Sequence, residues 1–121
     1  MEPRVTLITL GVDNLEKSFA FYKNILGFPS KDGITGDVAF FQLKGVWLAL
    51  HPKDKLAQDA KVPEGEKGFS GITLAHNVRT KKEVDLLIKK LRRKGVRITK
   101  EPQNTDWGGY DAYFQDEDGC L

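Results

Sequence analysis

His51, Asp111 and Cys120 are the side chains of this 121-residue chain best placed to do proton or nucleophile chemistry, and Phe41, Trp47, Trp107 and Tyr110 are those best suited to holding a flat molecule. His51 closes a β-prone run from Val46, just ahead of Pro52, and histidine is the side chain most often used as a general base. Asp111 sits in a strand otherwise rich in aromatics, where it either makes a polar contact in a cleft or faces solvent. These two are the candidate catalytic groups. His76 follows a strand at a turn and reads as a surface residue. Cys120 reads as packing, because no Ser/His/Asp or Cys/His constellation accompanies it. Trp107 is the aromatic that packing explains least. It stands in Asn104-Thr105-Asp106-Trp107-Gly108-Gly109, a polar loop of the kind that carries binding groups on a rigid scaffold.

The elements that must position these residues are repeated. Arg4 to Gly27 reads as strand, turn and capped helix: Val5, Leu7 and Thr9 alternate with Thr6, Ile8 and Leu10, and Leu15, Phe19, Tyr22 and Leu26 recur at helical spacing. Asp13 is the expected N-cap, Glu16 its capping-box partner and Gly27 the stop. A diverged copy starts at Ser70, with Thr80 as N-cap, Glu83 as box partner, Val84, Leu87, Ile88 and Leu91 on one face, and Gly95 as the stop. The alternation places Leu7, Thr9 and Gly11 on one sheet face and Ile8, Leu10 and Val12 on the helix-packed face; in the copy, Gly71, Thr73 and Ala75 share the cleft face. After the first helix the pattern predicts an irregular strand and turn over 28–33, then strands over 38–43 and 46–51 separated by Lys44-Gly45. After the second helix it predicts strands near 97–100 and 110–115. The charged stretch from Pro52 to Lys67 reads as a linker, with a helical turn around Leu56 to Ala60.

Composition narrows the function classes. Nineteen basic against 17 acidic side chains leave a net charge of +2, too small to imply nucleic acid or membrane as a partner. The cations of the second helix, from Lys81 to Lys94, are accounted for by its exposed face and by the helix C-terminus. One cysteine rules out an internal disulfide, and Met1-Glu2-Pro3 runs into the first strand without a signal-peptide pattern or a membrane-length apolar run, so a cytoplasmic location is expected.

Two sets of segments carry a family resemblance. The first is Gly11-Val12-Asp13-Asn14-Leu15-Glu16-Lys17-Ser18 with Phe21-Tyr22 and Leu26-Gly27-Phe28; the second is Trp107-Gly108-Gly109-Tyr110 with Phe114 and Asp116-Glu117-Asp118-Gly119. In this order, on an internal repeat, the chain resembles the vicinal oxygen chelate superfamily, which contains glyoxalase I, fosfomycin and bleomycin resistance proteins and extradiol dioxygenases. The resemblance implies an α+β fold: two tandem β-α-β-β-β modules forming a curved mixed sheet around a cleft, with helices outside. It implies a single domain over 1–121, with module 1 to about 52, a linker over about 53–67, and module 2 from about 68. A final strand would only begin at Leu121.

In the metal-using members, His and Glu from four strands hold a divalent ion that chelates substrate oxygens. Carried over one at a time, those positions fall on Leu7, on or next to Ala49, on Gly71, and about two residues past Leu121. The three readable positions bear no donor, so no metal and no cofactor is expected. The expected function is metal-independent binding of an apolar or aromatic small molecule. Its ligand residues would be Leu7, Thr9, Phe41, Trp47, Ala49, Gly71, Thr73, Trp107 and Tyr110. The alternative is a lyase, isomerase or dioxygenase-like enzyme using His51 or Asp111. The resemblance also implies a homodimer.

Overall fold

The structure, a computed structural model, describes residues 3–65, 68–70 and 72–121. The chain folds as two compact units, Met1–Lys67 and Gly68–Leu121.

In the first unit β1 (Leu7–Val12) leads into α1 (Leu15–Ala20), which continues as a wider π-helical turn over Phe21–Ile25. The helix is capped one residue later than the sequence pattern predicts: the Asn14 side chain, not that of Asp13, accepts the Lys17 N–H at 2.9 Å. Either residue type can cap, and extended backbone at Asn14 decides between them. Next come β2 (Ile34–Thr35), β3 (Val38–Phe41) and β4 (Trp47–Pro52). The expected irregular strand over 28–33 does not form; those residues are loop and bend, and pairing begins at Ile34. The sheet order is β1-β4-β3-β2. β1 and β4 are parallel, which requires a crossover, while the other two pairings are antiparallel.

The register fixes both faces of this sheet. Leu7 pairs with Trp47, Thr9 with Ala49, Gly11 with His51, and Phe40 with Ala49, so these residues share one face. Ile8, Leu10, Val12, Ala39, Phe41, Leu48 and Leu50 take the other, which packs on the first helix. Phe41 is at the centre of that core. Its ring lies 5.4 Å from Phe19, 6.0 Å from Tyr22 and 6.3 Å from Phe28. The stretch expected as a linker begins with a full helix, α2 (Lys53–Ala60), that starts hard against β1: a Cβ on Gly11 would meet Lys53 Cγ at 3.2 Å.

In the second unit α3 (Lys81–Arg93) has the predicted capping box. Thr80 Oγ1 accepts the Glu83 N–H at 3.1 Å, and the Glu83 carboxylate accepts the Thr80 N–H at 3.2 Å. Ile88 and Leu91 are its buried face. β5 (Ile98–Asn104) and β6 (Tyr110–Phe114) form an antiparallel pair with two register shifts, and both pack on α3. β5 is longer than the 97–100 run predicted, because Pro102 is accommodated where the register is irregular.

Of the strand expected near Gly71 to Ala75, the described residues 72–75 form none. The Leu74 N–H donates to the Leu121 carbonyl at 2.8 Å, and a single such bond to the last residue of the chain does not make a ladder. Gly71, the other expected member of that strand face, lies outside the described residues.

Candidate functional site

The face of the first sheet opposite its helix carries the side chains that the sequence singles out. Leu7 and Trp47 stand side by side in the register and are 39% and 45% exposed. Phe40 is 38% exposed, with its ring 6.5 Å from Trp47. Thr9 is exposed next to them. Ala49 lies between Thr9 and Phe40 and is only 1% exposed, so it is a covered floor and offers almost no surface of its own. His51 follows on the same face, half-buried, with Nδ1 3.2 Å from the Pro52 carbonyl oxygen. The result is an apolar surface with two aromatic rings on a sheet whose other side is closed.

One expected member of this surface is corrected. Phe41 is fully buried on the helix side, among Phe19, Tyr22 and Phe28, and cannot line the open face. Its neighbour Phe40 takes that position. Two adjacent phenylalanines at the end of a strand give alternation no means of deciding which one points inward; the Phe40–Ala49 pairing decides it.

In the second unit Tyr110 is half-buried and held by α3. Its hydroxyl donates to Asp85 Oδ1 of α3 at 2.5 Å, and the Lys81 ammonium sits 5.5 Å from its ring centre, so its polar tip is tied to the helix. That bond favours the neutral phenol and raises the Tyr110 pKa. Asp111 points to the other side of β6, where it accepts from Lys100 Nζ at 2.6 Å. The aromatic that borders open space is Tyr113. With Phe69, Thr73, Thr99, Lys100 and Leu121 it lines a groove of about 360 Å³. Thr73 is thus the expected ligand residue that reaches this groove; Trp107 and Tyr110 are not in its lining.

Trp107 is 77% exposed at the tip of the β5–β6 hairpin. The loop beneath it is tied down: Thr105 N–H donates to the Gly109 carbonyl at 2.9 Å, and Gly109 N–H to Thr105 Oγ1 at 2.8 Å. The indole lies over Gly109 so closely that a Cβ there would be 2.2 Å from the ring. The tip therefore presents its tryptophan from an ordered loop.

Leu7 and Ala49 have no ligating side-chain atom, and among the described residues no three His, Cys, Asp or Glu side chains come together. The candidate bases are each engaged within their own unit. Asp111 is engaged by Lys100, whereas His51 belongs to the first unit and is bonded locally. The Cys120 thiol, half-buried beside Asp116 and Asp118, has its pKa pushed up to about 11, chiefly by burial, which disfavours the thiolate a nucleophile requires. Among the described residues no helix is long and apolar enough to cross a membrane.

Residues 4–121 match the model of the Glyoxalase/Bleomycin resistance protein/Dioxygenase superfamily. The chain is 30% identical over 113 residues to a metallothiol transferase FosB from Lysinibacillus sphaericus, covering 93% of this chain and 74% of the relative. Among solved structures, a glyoxalase-related enzyme from Fulvimarina pelagi superposes with a TM-score of 0.85 at 31% identity, covering 98% of this chain and 84% of that one. A glyoxalase/bleomycin resistance protein/dioxygenase from Nocardioides gives a TM-score of 0.83 at 27% identity, covering 99% and 80%.

Proposed function

The chain belongs to the Glyoxalase/Bleomycin resistance protein/Dioxygenase superfamily, and from that premise we propose that it binds a small apolar or aromatic molecule on the open face of its first sheet, without a metal. The observation that carries the reading is the cluster of Leu7, Phe40 and Trp47, each more than a third exposed, on a sheet whose opposite face packs on the first helix. Large apolar side chains left open together on a rigid support mark a binding surface. Two rings 6.5 Å apart can meet a flat ligand, and the absence of any carboxylate or ammonium from Leu7, Thr9, Phe40, Trp47, Ala49 and His51 favours one without a formal charge. As in many members that bind small molecules, we take the protein to work as a homodimer in the cytoplasm.

The test is a fluorescence titration with 2-naphthalenemethanol in a Trp107→Phe background, so that Trp47 alone reports. Saturable quenching that is lost in Phe40→Ala supports the proposal; no saturable change overturns it. Light scattering at micromolar concentration checks the dimer.

A second reading rests on the likeness to a metallothiol transferase. On that reading the protein is an enzyme that uses a metal and a thiol. Elemental analysis decides between the two: a stoichiometric divalent metal whose removal abolishes a thiol-transfer activity would replace the metal-free reading.

A further inference from the structure

The charges of α3 are unevenly compensated. Its two acids are engaged inside the second unit: the Glu83 carboxylate accepts the Arg79 and Thr80 N–H groups at 2.7 and 3.2 Å, and Asp85 Oδ1 accepts the Tyr110 hydroxyl. Arg92 is paired with Glu101, and Lys81 Nζ donates to Asn104 Oδ1 at 2.9 Å. Lys82, Lys89, Lys90 and Arg93 are exposed, and none of them is ion-paired to a described residue. At about 100° per residue, these four and Leu86 fall within one arc of about 100°, a stripe about 16 Å long on the side away from the buried Ile88 and Leu91. Leu86 is 56% exposed and lies between Lys82 and Lys89 along it.

We propose that this stripe docks an acidic segment of a partner protein, with carboxylates on Lys82, Lys89, Lys90 and Arg93 and an apolar side chain over Leu86. Lys89 and Lys90 stand four and three positions before Arg93, a spacing at which like charges on a helix repel. Lys82 is in the first turn, where the helix dipole disfavours a cation. The free helix carries both costs, and an anionic partner relieves them. Leu86 decides which kind of anion fits. Against a phosphate backbone it would find no apolar surface, and the stripe has no aromatic ring, Asn or Gln with which to stack on or read bases. A helix that binds a membrane buries its whole apolar face in lipid, and that of α3 is already packed on β5 and β6. A peptide that alternates acids with apolar residues meets both the cations and the leucine. The inference concerns the second unit and does not rest on ligand binding by the first sheet.

The experiment titrates the whole chain at low salt with the synthetic peptide EELEELEELE, following amide chemical shifts, with decaglutamate, a duplex oligonucleotide and vesicles of equimolar phosphatidylserine and phosphatidylcholine in parallel. The peptide is expected to shift Lys82, Leu86, Lys89, Lys90 and Arg93 with a Kd of about 0.1–1 mM, the worth of four exposed ion pairs and one covered leucine, and to bind more tightly than decaglutamate. Lys89→Gln/Arg93→Gln, which keeps good helix formers at both positions, should weaken the peptide about tenfold, and Leu86→Ala about fivefold. Lys89→Arg/Arg93→Lys should bind like the parent. Peptide shifts that miss the stripe overturn the inference, as does equal affinity for decaglutamate. Tighter binding of the duplex or of the vesicles at these residues overturns it in favour of a nucleic acid or a membrane surface.

Discussion

Truncating each of the two adjacent phenylalanines tests the face assignment on which the candidate site depends. Phe41 is 0% exposed and touches three aromatic rings. Phe41→Ala therefore removes a fully buried ring and leaves a cavity walled by Phe19, Tyr22 and Phe28, a change that costs about 3–5 kcal/mol in protein cores. Phe40 is 38% exposed and has one ring partner, Trp47. About three-fifths of its burial remains to be lost; at about 1.5–3 kcal/mol for a fully buried ring, Phe40→Ala costs roughly 1–2 kcal/mol, with no closed cavity to add. Urea unfolding followed by circular dichroism should give midpoint shifts two to three times larger for Phe41→Ala, at similar slopes. Trp47 emission should change in Phe40→Ala, where the ring neighbour is lost, and stay near that of the parent in Phe41→Ala. Equal destabilisation by the two substitutions, or a larger effect at Phe40, would refute the register and with it the open face.

Two further predictions concern the second unit. Thr80→Ala removes the acceptor of the Glu83 N–H and should destabilise α3 by about 1 kcal/mol in urea unfolding, with Thr80→Ser restoring most of it. Cys120, with its pKa raised to about 11 from 9.0, should react with a disulfide reagent at pH 8 about a hundredfold more slowly in the native chain than in urea, from the thiolate fraction alone. Because the folded value is the higher one, the stability linked to this thiol is present below about pH 9 and lost as the pH rises through about 11.

The sequence by itself determined the elements whose signals are local. The Thr80–Glu83 capping box, the apolar stripe of α3 and the alternation of β1 each rest on residues a few positions apart, and each is present in the structure. The doubled strand-helix pattern and the short motifs around Asn14 and Trp107 were enough to identify the family. Leu7 and Thr9 could also be assigned to one face, because parity within a strand is a local property, whereas Trp47 joins them only through the β1–β4 register. Only the tertiary structure decided the rest. Which of Phe40 and Phe41 opens to solvent depends on the pairing of β3 with β4, whose partner residues are nine and seven positions away. Tyr110 and Tyr113 divide between helix and groove because Asp85, 25 residues from Tyr110, draws its hydroxyl to α3, while Lys100 and Tyr113 are brought together across an irregular register. The stretch over 72–75 has a good strand sequence and no strand, since a ladder needs a partner's backbone groups as well as its own propensity; the Leu74 N–H bonds the Leu121 carbonyl instead of a ladder partner.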